Sequence, residues 1–257
     1  MNTLGQIGQM ARRSILQTLR QPAMVIPPVV FPLVLVAINA AGLDAATNLP
    51  GFPADSYWDF AIAVPFIQGS LFAAINAGTA MARDVETGFI KRLAMTPMHR
   101  MALLVGQLIG VMTVAFVSAI VYLIAGFAAG MDFKSGALGV PAIILLGVLV
   151  ALGFAAIGAY IGLRSGSGEA VQGIFPLLFV FLFLSSVNLP RNLIEQDWFR
   201  TIATYNPVSY LVEGVRSLII TGWDGEALAL GFGLAAGIAA IAFALAAGAL
   251  RTRLVRT

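Results

Sequence analysis

Six apolar runs constrain this chain more than any other feature of its sequence. A helix needs about 20 mostly apolar residues to cross a membrane, and the runs approach or exceed that length. They are Ala23–Leu43, Trp58–Met81, Met101–Ala129, Val140–Leu163, Ala170–Val187 and Glu226–Leu250. They lack the alternation of a β-barrel strand, and only 11% of the 257 residues are charged, too few to coat a soluble protein. The sequence predicts an all-α membrane protein with six transmembrane helices in one domain, residues 1–257.

Composition excludes several kinds of site. The chain has no cysteine, which excludes disulfides, zinc–thiolate sites, iron–sulfur clusters and thiol nucleophiles. Its single histidine, His99, cannot form a multi-histidine metal site. We therefore expect no metal site and no cofactor bound by this chain itself.

The lysine and arginine residues predict the orientation in the membrane. With the N-terminus in the cytoplasm, 11 of the 15 fall in cytoplasmic segments, and only Lys134, Arg191, Arg200 and Arg216 fall outside. Both termini are then cytoplasmic, and the basic balance marks that face rather than nucleic-acid binding. Arginine far outnumbers lysine, a bias typical of GC-rich bacterial genomes, so we expect a bacterial cell membrane.

The segment before the first run, residues 1–21, has the pattern of an amphipathic helix. Leu4, Ile7, Ala11, Ile15 and Leu19 recur at helical spacing, with glutamines and arginines on the other faces. Such a basic, modestly apolar helix is expected to lie in the plane of the cytoplasmic interface as an elbow. The alternative is a charged tail that only sets topology.

Residues 82–100 form the most charged cytoplasmic stretch. Val85, Phe89 and Leu93, with Ile90 beside them, predict one apolar helix stripe surrounded by charges, and Pro97 ends that helix. A short amphipathic helix exposed to the cytosol suits docking of a soluble partner. The alternative is an ordinary basic loop.

The region between the last two runs, residues 188–225, holds a second short helix. Asn206 predicts its N-cap and Pro207 its first residue. The helix would continue to Ile220 and measure roughly 21 Å, too short to cross about 30 Å of hydrocarbon. We expect it to be re-entrant or interfacial on the external side, with Glu213 and Arg216 paired at i and i+3.

Two sets of side chains inside the runs are candidates for a substrate pathway. Gln68, Asn76 and Thr79 share one face of the second run, and amides inside a span usually face protein or a cavity. Hydrogen bonding within one subunit is the alternative. Phe175, Phe179 and Phe183 form an aromatic stripe on the fifth run, for which core packing or lipid contact is the alternative.

These features together resemble the membrane subunit of an ATP-binding-cassette exporter of the type-2 permease family. That class includes daunorubicin-resistance-type drug exporters and polysaccharide or teichoic-acid exporters. The resemblance rests on the six-run plan with an N-terminal in-plane helix, on Glu86-Thr-Gly-Phe-Ile-Lys-Arg-Leu-Ala-Met-Thr-Pro97, and on Asn206-Pro207 followed by Glu213-Gly214-x-Arg216. It covers essentially the whole chain.

The resemblance implies a pair of permease subunits, as a homodimer or heterodimer, with cytosolic ATPase subunits that bind ATP and magnesium. This chain has no G-x-x-x-x-G-K-[ST] phosphate loop, so we expect it not to be an enzyme. By resemblance, residues 84–97 form a coupling helix that seats in the ATPase. The expected coupling residues are Arg83, Asp84, Glu86, Phe89, Lys91, Arg92, Leu93, Thr96 and Pro97, with Arg12 and Arg13 as a second contact. The expected external gate comprises Asn206, Pro207, Glu213 and Arg216.

The expected function is ATP-driven export of hydrophobic drugs or lipid-like molecules. Export of polysaccharide or teichoic acid is the alternative within the family. An ion-coupled secondary transporter is disfavoured because the runs show almost no deep charge and no internal repeat. An intramembrane protease is disfavoured because no histidine or paired acid lies at membrane depth, and a non-transport scaffold stays open.

Overall fold

In the computed structural model, residues 3–95 and 99–255 are described, and their regular structure is helical. The α-helices are α1 Thr3–Leu19, α2 Pro22–Leu43, α3 Tyr57–Ala61, α4 Val64–Glu86, α5 Phe89–Ala94, α6 Arg100–Ala128, α7 Gly139–Ser165, α8 Gly168–Phe183, α9 Asp197–Tyr205, α10 Pro207–Ile220 and α11 Gly225–Val255. Short 3₁₀ helices cover Asp44–Asn48 and Arg191–Leu193. The all-α prediction is confirmed for these ranges.

Five helical segments are long and apolar enough to cross a membrane. They are Pro22–Asn48, Tyr57–Glu86, Met101–Ala128, Gly139–Ser165 and Gly225–Leu254. The fifth predicted span corresponds to α8, which is apolar but has only 16 residues and measures roughly 24 Å. The structure therefore supports five of the six predicted spans by length, and α8 as a shorter apolar helix.

The second span is built from two helices, α3 and α4, joined at Ile62 and Ala63. Both joining residues keep helical dihedral angles, with φ of −64° and −66°. Pro65 follows and has no N–H to donate to the carbonyl of Ala61, so the helical hydrogen-bond ladder is interrupted there. The result is a local break in a nearly continuous span.

Helices α4 and α7 form the centre of the fold, and their backbones touch. A Cβ atom added at Gly158 would lie 1.8 Å from the carbonyl oxygen of Ala74, and one at Gly162 would lie 2.1 Å from that of Gly78. Small residues permit this close approach, as is common between helices in membranes. Helix α11 packs on α7, and α2, α6 and α8 all contact α4.

The N-terminal helix α1 lies against α6 and runs in the same direction. The backbone N–H of His99 donates to Oε1 of Gln6 at 2.8 Å, and Oγ of Ser14 donates to the carbonyl of Gln107 at 3.1 Å. Gly106 admits Met10 and Ala11, so that the two helices approach closely. A helix within residues 1–21 was expected, and α1 covers Thr3–Leu19 of that segment; its position in the plane of the membrane stays a prediction.

The charged stretch 82–100 is divided between the end of α4 and the short helix α5, rather than forming the single helix expected. Helix α4 continues to Glu86, and Gly88 then adopts the left-handed conformation, with φ of +66°. Left-handed residues end α-helices, and glycine adopts that conformation without strain. Val85 therefore lies on α4, whereas Phe89 lies on the short α5, so the predicted single stripe is divided.

Candidate functional sites

The segment 82–100, which we call the coupling segment, is bound to α1 through Arg13. Nη2 of Arg13 lies 3.0 Å from Oδ1 of Asp84, and the Arg13 guanidinium lies 4.1 Å from the centroid of the Phe89 ring. Asp84 is buried and Arg13 is only partly exposed. Asp84, which was predicted to contact an ATPase, therefore has its partner within this chain.

Glu86 connects the coupling segment to α8. Its Oε1 accepts a hydrogen bond from the backbone N–H of Gly168 at 3.3 Å, at the first residue of α8. Ser167 caps the same helix by accepting from the N–H of Ala170. A carboxylate near a helix N-terminus is stabilised by the unpaired N–H groups and by the helix dipole. The last turn of α4 thus contacts both α1 and α8.

The remaining predicted coupling residues divide into an exposed basic set and a packed apolar set. Arg83, Lys91 and Arg92 are exposed, as is Arg12 on α1. Phe89 and Leu93 are partly buried against an apolar cluster to which α4, α6, α7 and α11 contribute. Thr96 and Pro97 lie outside the described residues.

Ile90 of α5 is buried, at 3% exposure, although the sequence pattern placed it at the edge of the stripe. The apolar face of α5 therefore packs on its own chain. Among its described residues, this segment exposes the basic side chains of Arg83, Lys91 and Arg92 together with the apolar side chain of Met95.

The amide and hydroxyl groups of α4 bond within the chain. Nδ2 of Asn76 donates to the carbonyl of Met24 on α2 at 2.9 Å, and Oγ1 of Thr79 donates to the carbonyl of Ile75 at 2.8 Å. Gln68 is buried, and its Oε1 has no hydrogen-bond partner among the described residues. For Asn76 and Thr79 these contacts match hydrogen bonding within one subunit, the alternative to a pathway.

The aromatic stripe of α8 faces α2 and α4. The ring centroids of Phe175 and Phe72 are 5.3 Å apart, and those of Phe179 and Phe31 are 5.9 Å apart in an edge-to-face arrangement. Phe183 lies 6.0 Å from Phe179 and is exposed. Edge-to-face pairs stabilise helix contacts, so Phe175 and Phe179 join three helices, whereas Phe183 marks the open end of this aromatic cluster.

Arg216 of α10 lies at the other end of α4 from the coupling segment. It donates to three backbone carbonyls. The oxygens belong to Phe60, Ser186 and Val187, at 3.0, 3.1 and 3.2 Å. The guanidinium also lies 3.5 Å from the centroid of the Phe60 ring, and Arg216 is only 6% exposed. A buried cation needs such partners, and these bonds attach α10 to α3 and to the segment after α8.

Glu213 does not pair with Arg216, so that prediction is wrong. Glu213 forms an ion pair with Arg191, whose Nε lies 2.8 Å from Oε1, and it accepts from Oγ of Ser186 at 2.8 Å. Partial burial lowers the pKa of Arg191, but the hydrogen bonds and charge of Glu213, with help from Tyr210, raise it more, so the net shift is upward. Arg216 instead donates to the backbone carbonyls of Phe60, Ser186 and Val187.

Asn206 joins two helices with one side chain. Nδ2 donates to the carbonyls of Phe181 and Leu184 at 2.8 and 3.0 Å, at the C-terminal end of α8. Oδ1 accepts from the N–H of Val208 at 2.9 Å, and Pro207 is the first residue of α10, as predicted. The sequence indicated the cap on α10 but not the bond to α8.

The comparisons with known proteins decide the family. Residues 5–220 match the model of a family described as "ABC-2 type transporter". The chain belongs to the ABC-2 type transporter family. It is therefore a multi-pass membrane permease, and permeases of this family lack the ATPase domain and typically bind no cofactor. Among residues 3–95 and 99–255, no group of three or more acidic or histidine side chains could hold a metal ion.

Two kinds of relative are similar to this permease. A protein of Mycobacterium tuberculosis named "Probable doxorubicin resistance ABC transporter permease protein DrrC" is 27% identical over 158 residues, which cover 61% of this chain and 55% of the relative. The "Putative transport permease ycf38" of Porphyra purpurea is 27% identical over 223 residues, or 85% of this chain and 76% of that protein. The match thus spans about half the length of the mycobacterial relative.

Proposed function

We propose that this permease is the membrane subunit of an ATP-driven exporter and that a cytosolic ATPase subunit drives it through the coupling segment. The observation that carries the proposal is the position of that segment. Arg13 ties it to α1, and Glu86 ties it to the first residue of α8. Both carboxylates, Asp84 and Glu86, lie on the last turn of α4, directly before α5, and Phe89 of α5 also contacts Arg13. In this proposal, a partner that displaces α5 and the end of α4 moves both helices at once.

The proposed cycle follows from these attachments. Closure of two ATPase subunits on ATP pushes the coupling segments of two permease copies together, and α1, α2, α4 and α8 rearrange near the axis between the copies. On the outer side, α10 moves with the end of α8 because Asn206 and Arg216 bind both. Asn206, Pro207, Glu213 and Arg216 then act as the external gate. The coupling segment and both termini are cytoplasmic in this proposal.

The proposed substrate class is a hydrophobic drug or a lipid-like molecule. The name of the mycobacterial relative supports a drug. So does the uncharged aromatic cluster of Phe31, Phe72 and Phe179, where α2, α4 and α8 meet. Aromatic rings bind flat apolar molecules by stacking and edge contacts.

The test is reconstitution of the permease with its ATPase subunit in proteoliposomes. The double reversal Lys91→Glu with Arg92→Glu is expected to abolish drug-stimulated ATP hydrolysis, because both side chains are exposed on the face left for a partner and charge reversal opposes docking. Glu195→Lys, an equally exposed reversal in the external region, is the matched control. Unchanged stimulation in the double variant would refute the proposed coupling surface, and stimulation by no apolar drug or lipid would refute the substrate class.

A further inference from the structure

Helix α2 carries three prolines inside its span, Pro27, Pro28 and Pro32. A proline has no N–H, so the carbonyl four residues before it loses its helical hydrogen-bond partner. The carbonyls concerned are those of Ala23, Met24 and Pro28. Ala23 lies exposed in the first turn of α2, whereas the other two lie further into the span. In a membrane, freed carbonyls of this kind take their hydrogen bonds from neighbouring helices or from water.

The two deeper carbonyls each receive a donor from a neighbouring helix. Nδ2 of Asn76, on α4, donates to the carbonyl of Met24 at 2.9 Å, and Oη of Tyr122, on α6, donates to the carbonyl of Pro28. These are the carbonyls that Pro28 and Pro32 leave without a backbone N–H. One side chain thus stands in for each missing donor.

The contact between Tyr122 and α2 is supported by packing on α4. Tyr122 is only 1% exposed, and its ring lies edge-to-face against Phe66 with a centroid distance of 5.4 Å. A buried tyrosine hydroxyl needs a hydrogen-bond partner. Gly69, one turn further along α4, gives this hydroxyl room, because a Cβ atom there would lie 2.8 Å from Oη. The side chain is therefore fixed where its hydroxyl meets the carbonyl of Pro28.

A cavity of about 20 Å³ lies beside these bonds. Pro28, Asn76 and Tyr122 line it, together with Ser118 and small residues of α4, α6 and α7. Space of that size admits a single water molecule, and protein interiors are otherwise closely packed. Because packing around Pro28 is incomplete, the two hydrogen bonds contribute more to the position of α2 there.

We propose that Asn76 and Tyr122 are positioning residues that hold α2 in one shape at a joint formed by Pro28 and Pro32. Asn76 replaces the N–H that Pro28 removes, and Tyr122 replaces the N–H that Pro32 removes. Helix α2 keeps its shape while both bonds are made and bends about the joint when they break, since long helices bend at prolines. Only the use of this bending in transport rests on the proposed function, in which α2 rearranges during the cycle.

The first test is a set of crossed double variants of the full chain, unfolded in detergent by sodium dodecyl sulfate. Tyr122→Phe and Asn76→Leu each leave one carbonyl without a donor, so each is expected to raise the unfolding equilibrium constant about fivefold. Pro32→Ala restores an N–H for the carbonyl of Pro28. In that background Tyr122→Phe is expected to cost less than about twofold, while Asn76→Leu keeps its full effect. Pro28→Ala is expected to do the reverse, and Pro27→Ala, whose N–H reaches neither carbonyl, is the matched control that rescues neither.

The second test measures the shape of α2 itself. The chain has no cysteine, so Ala23→Cys with Ile38→Cys, at two exposed positions on either side of the joint, allows spin labelling at these positions alone. Labelled chains are diluted into unlabelled ones, so that only distances within one chain count. The distance distribution is expected to be narrow in the wild-type background and about twice as wide when both side-chain donors are removed. It is expected to narrow again when the two prolines of the joint are also replaced by alanine.

Three results would overturn the proposal. Equal rescue of both side-chain variants by each proline variant would contradict the pairing, and so would rescue by Pro27→Ala. An unchanged distance distribution after removal of both donors would show that packing, rather than these hydrogen bonds, sets the shape of α2. All these measurements use the permease without its ATPase subunit, so their failure is distinct from failure of the proposed coupling surface.

Discussion

Replacing Arg13 by alanine tests the attachment of α1 to the coupling segment, because the two members of the Arg13–Asp84 pair are unequally exposed. The side chain of Arg13 is 36% exposed and that of Asp84 is 8% exposed. Arg13→Ala leaves a buried carboxylate without its partner and removes the contact with Phe89, so we expect it to lower the free energy of unfolding by about 3 kcal/mol. Asp84→Ala leaves an arginine that can turn to water, and about 1 kcal/mol is expected.

The double variant, Arg13→Ala with Asp84→Ala, measures the coupling free energy between the two side chains. Once Asp84 is absent, loss of Arg13 removes only a partly exposed side chain, so we expect the double variant to lose about 2 kcal/mol, with a coupling of about 2 kcal/mol between the two sites. The assay is unfolding of the permease in detergent by sodium dodecyl sulfate, followed by tryptophan fluorescence. Arg12→Ala, an exposed neighbour, is expected to change stability by less than about 0.5 kcal/mol. Equal effects of the two single variants, or strictly additive effects, would refute the reasoning.

Three further predictions use the same structure. Gly158→Ala is expected to lose about 3 kcal/mol in that titration because its Cβ would overlap the carbonyl of Ala74, whereas Gly237→Ala, with open space around it, is expected to gain up to about 1 kcal/mol. Arg216→Lys is expected to lose about 2 kcal/mol, since one ammonium cannot reproduce a planar guanidinium bound to three carbonyls, and to slow transport in proteoliposomes. Glu86→Ala is expected to lose about 1 kcal/mol with its acceptor for the N–H of Gly168, while Glu86→Gln retains most of that stability; equal losses in the two variants would contradict the capping role.

Much of the fold was predictable because each membrane-crossing helix satisfies its own backbone hydrogen bonds and must be apolar along its own length. The bounds of α2, α6 and α7 follow the apolar runs to within a few residues. Helix α10 was predictable for a different reason: Asn206 and Pro207 are local start signals that act without distant partners.

The partners of Asp84 and Glu213 were not predictable, because they come from other parts of the chain. Asp84 pairs with Arg13, 71 positions away, and Glu213 pairs with Arg191, 22 positions away. The local i, i+3 spacing predicted Arg216 as the partner of Glu213. The Arg216 guanidinium is instead buried among backbone carbonyls, and Glu213 pairs with Arg191. Helix α9 was missed because its exposed apolar side chains point away from the core, although their spacing of four and three residues is visible in the sequence.

The contact between α4 and α7 has a consequence for how the permease is made. The groove at Gly78 receives Gly158 and Gly162, which the ribosome adds only after the whole of α6. Domains and their elements form from the N-terminal end during synthesis, so α4 enters the bilayer with its glycine groove open to lipid and waits there while α6 is inserted. Arrival of α7 closes the groove. A chain interrupted before that moment leaves the surface of α4 at Ala74 and Gly78 without the helix that packs on it.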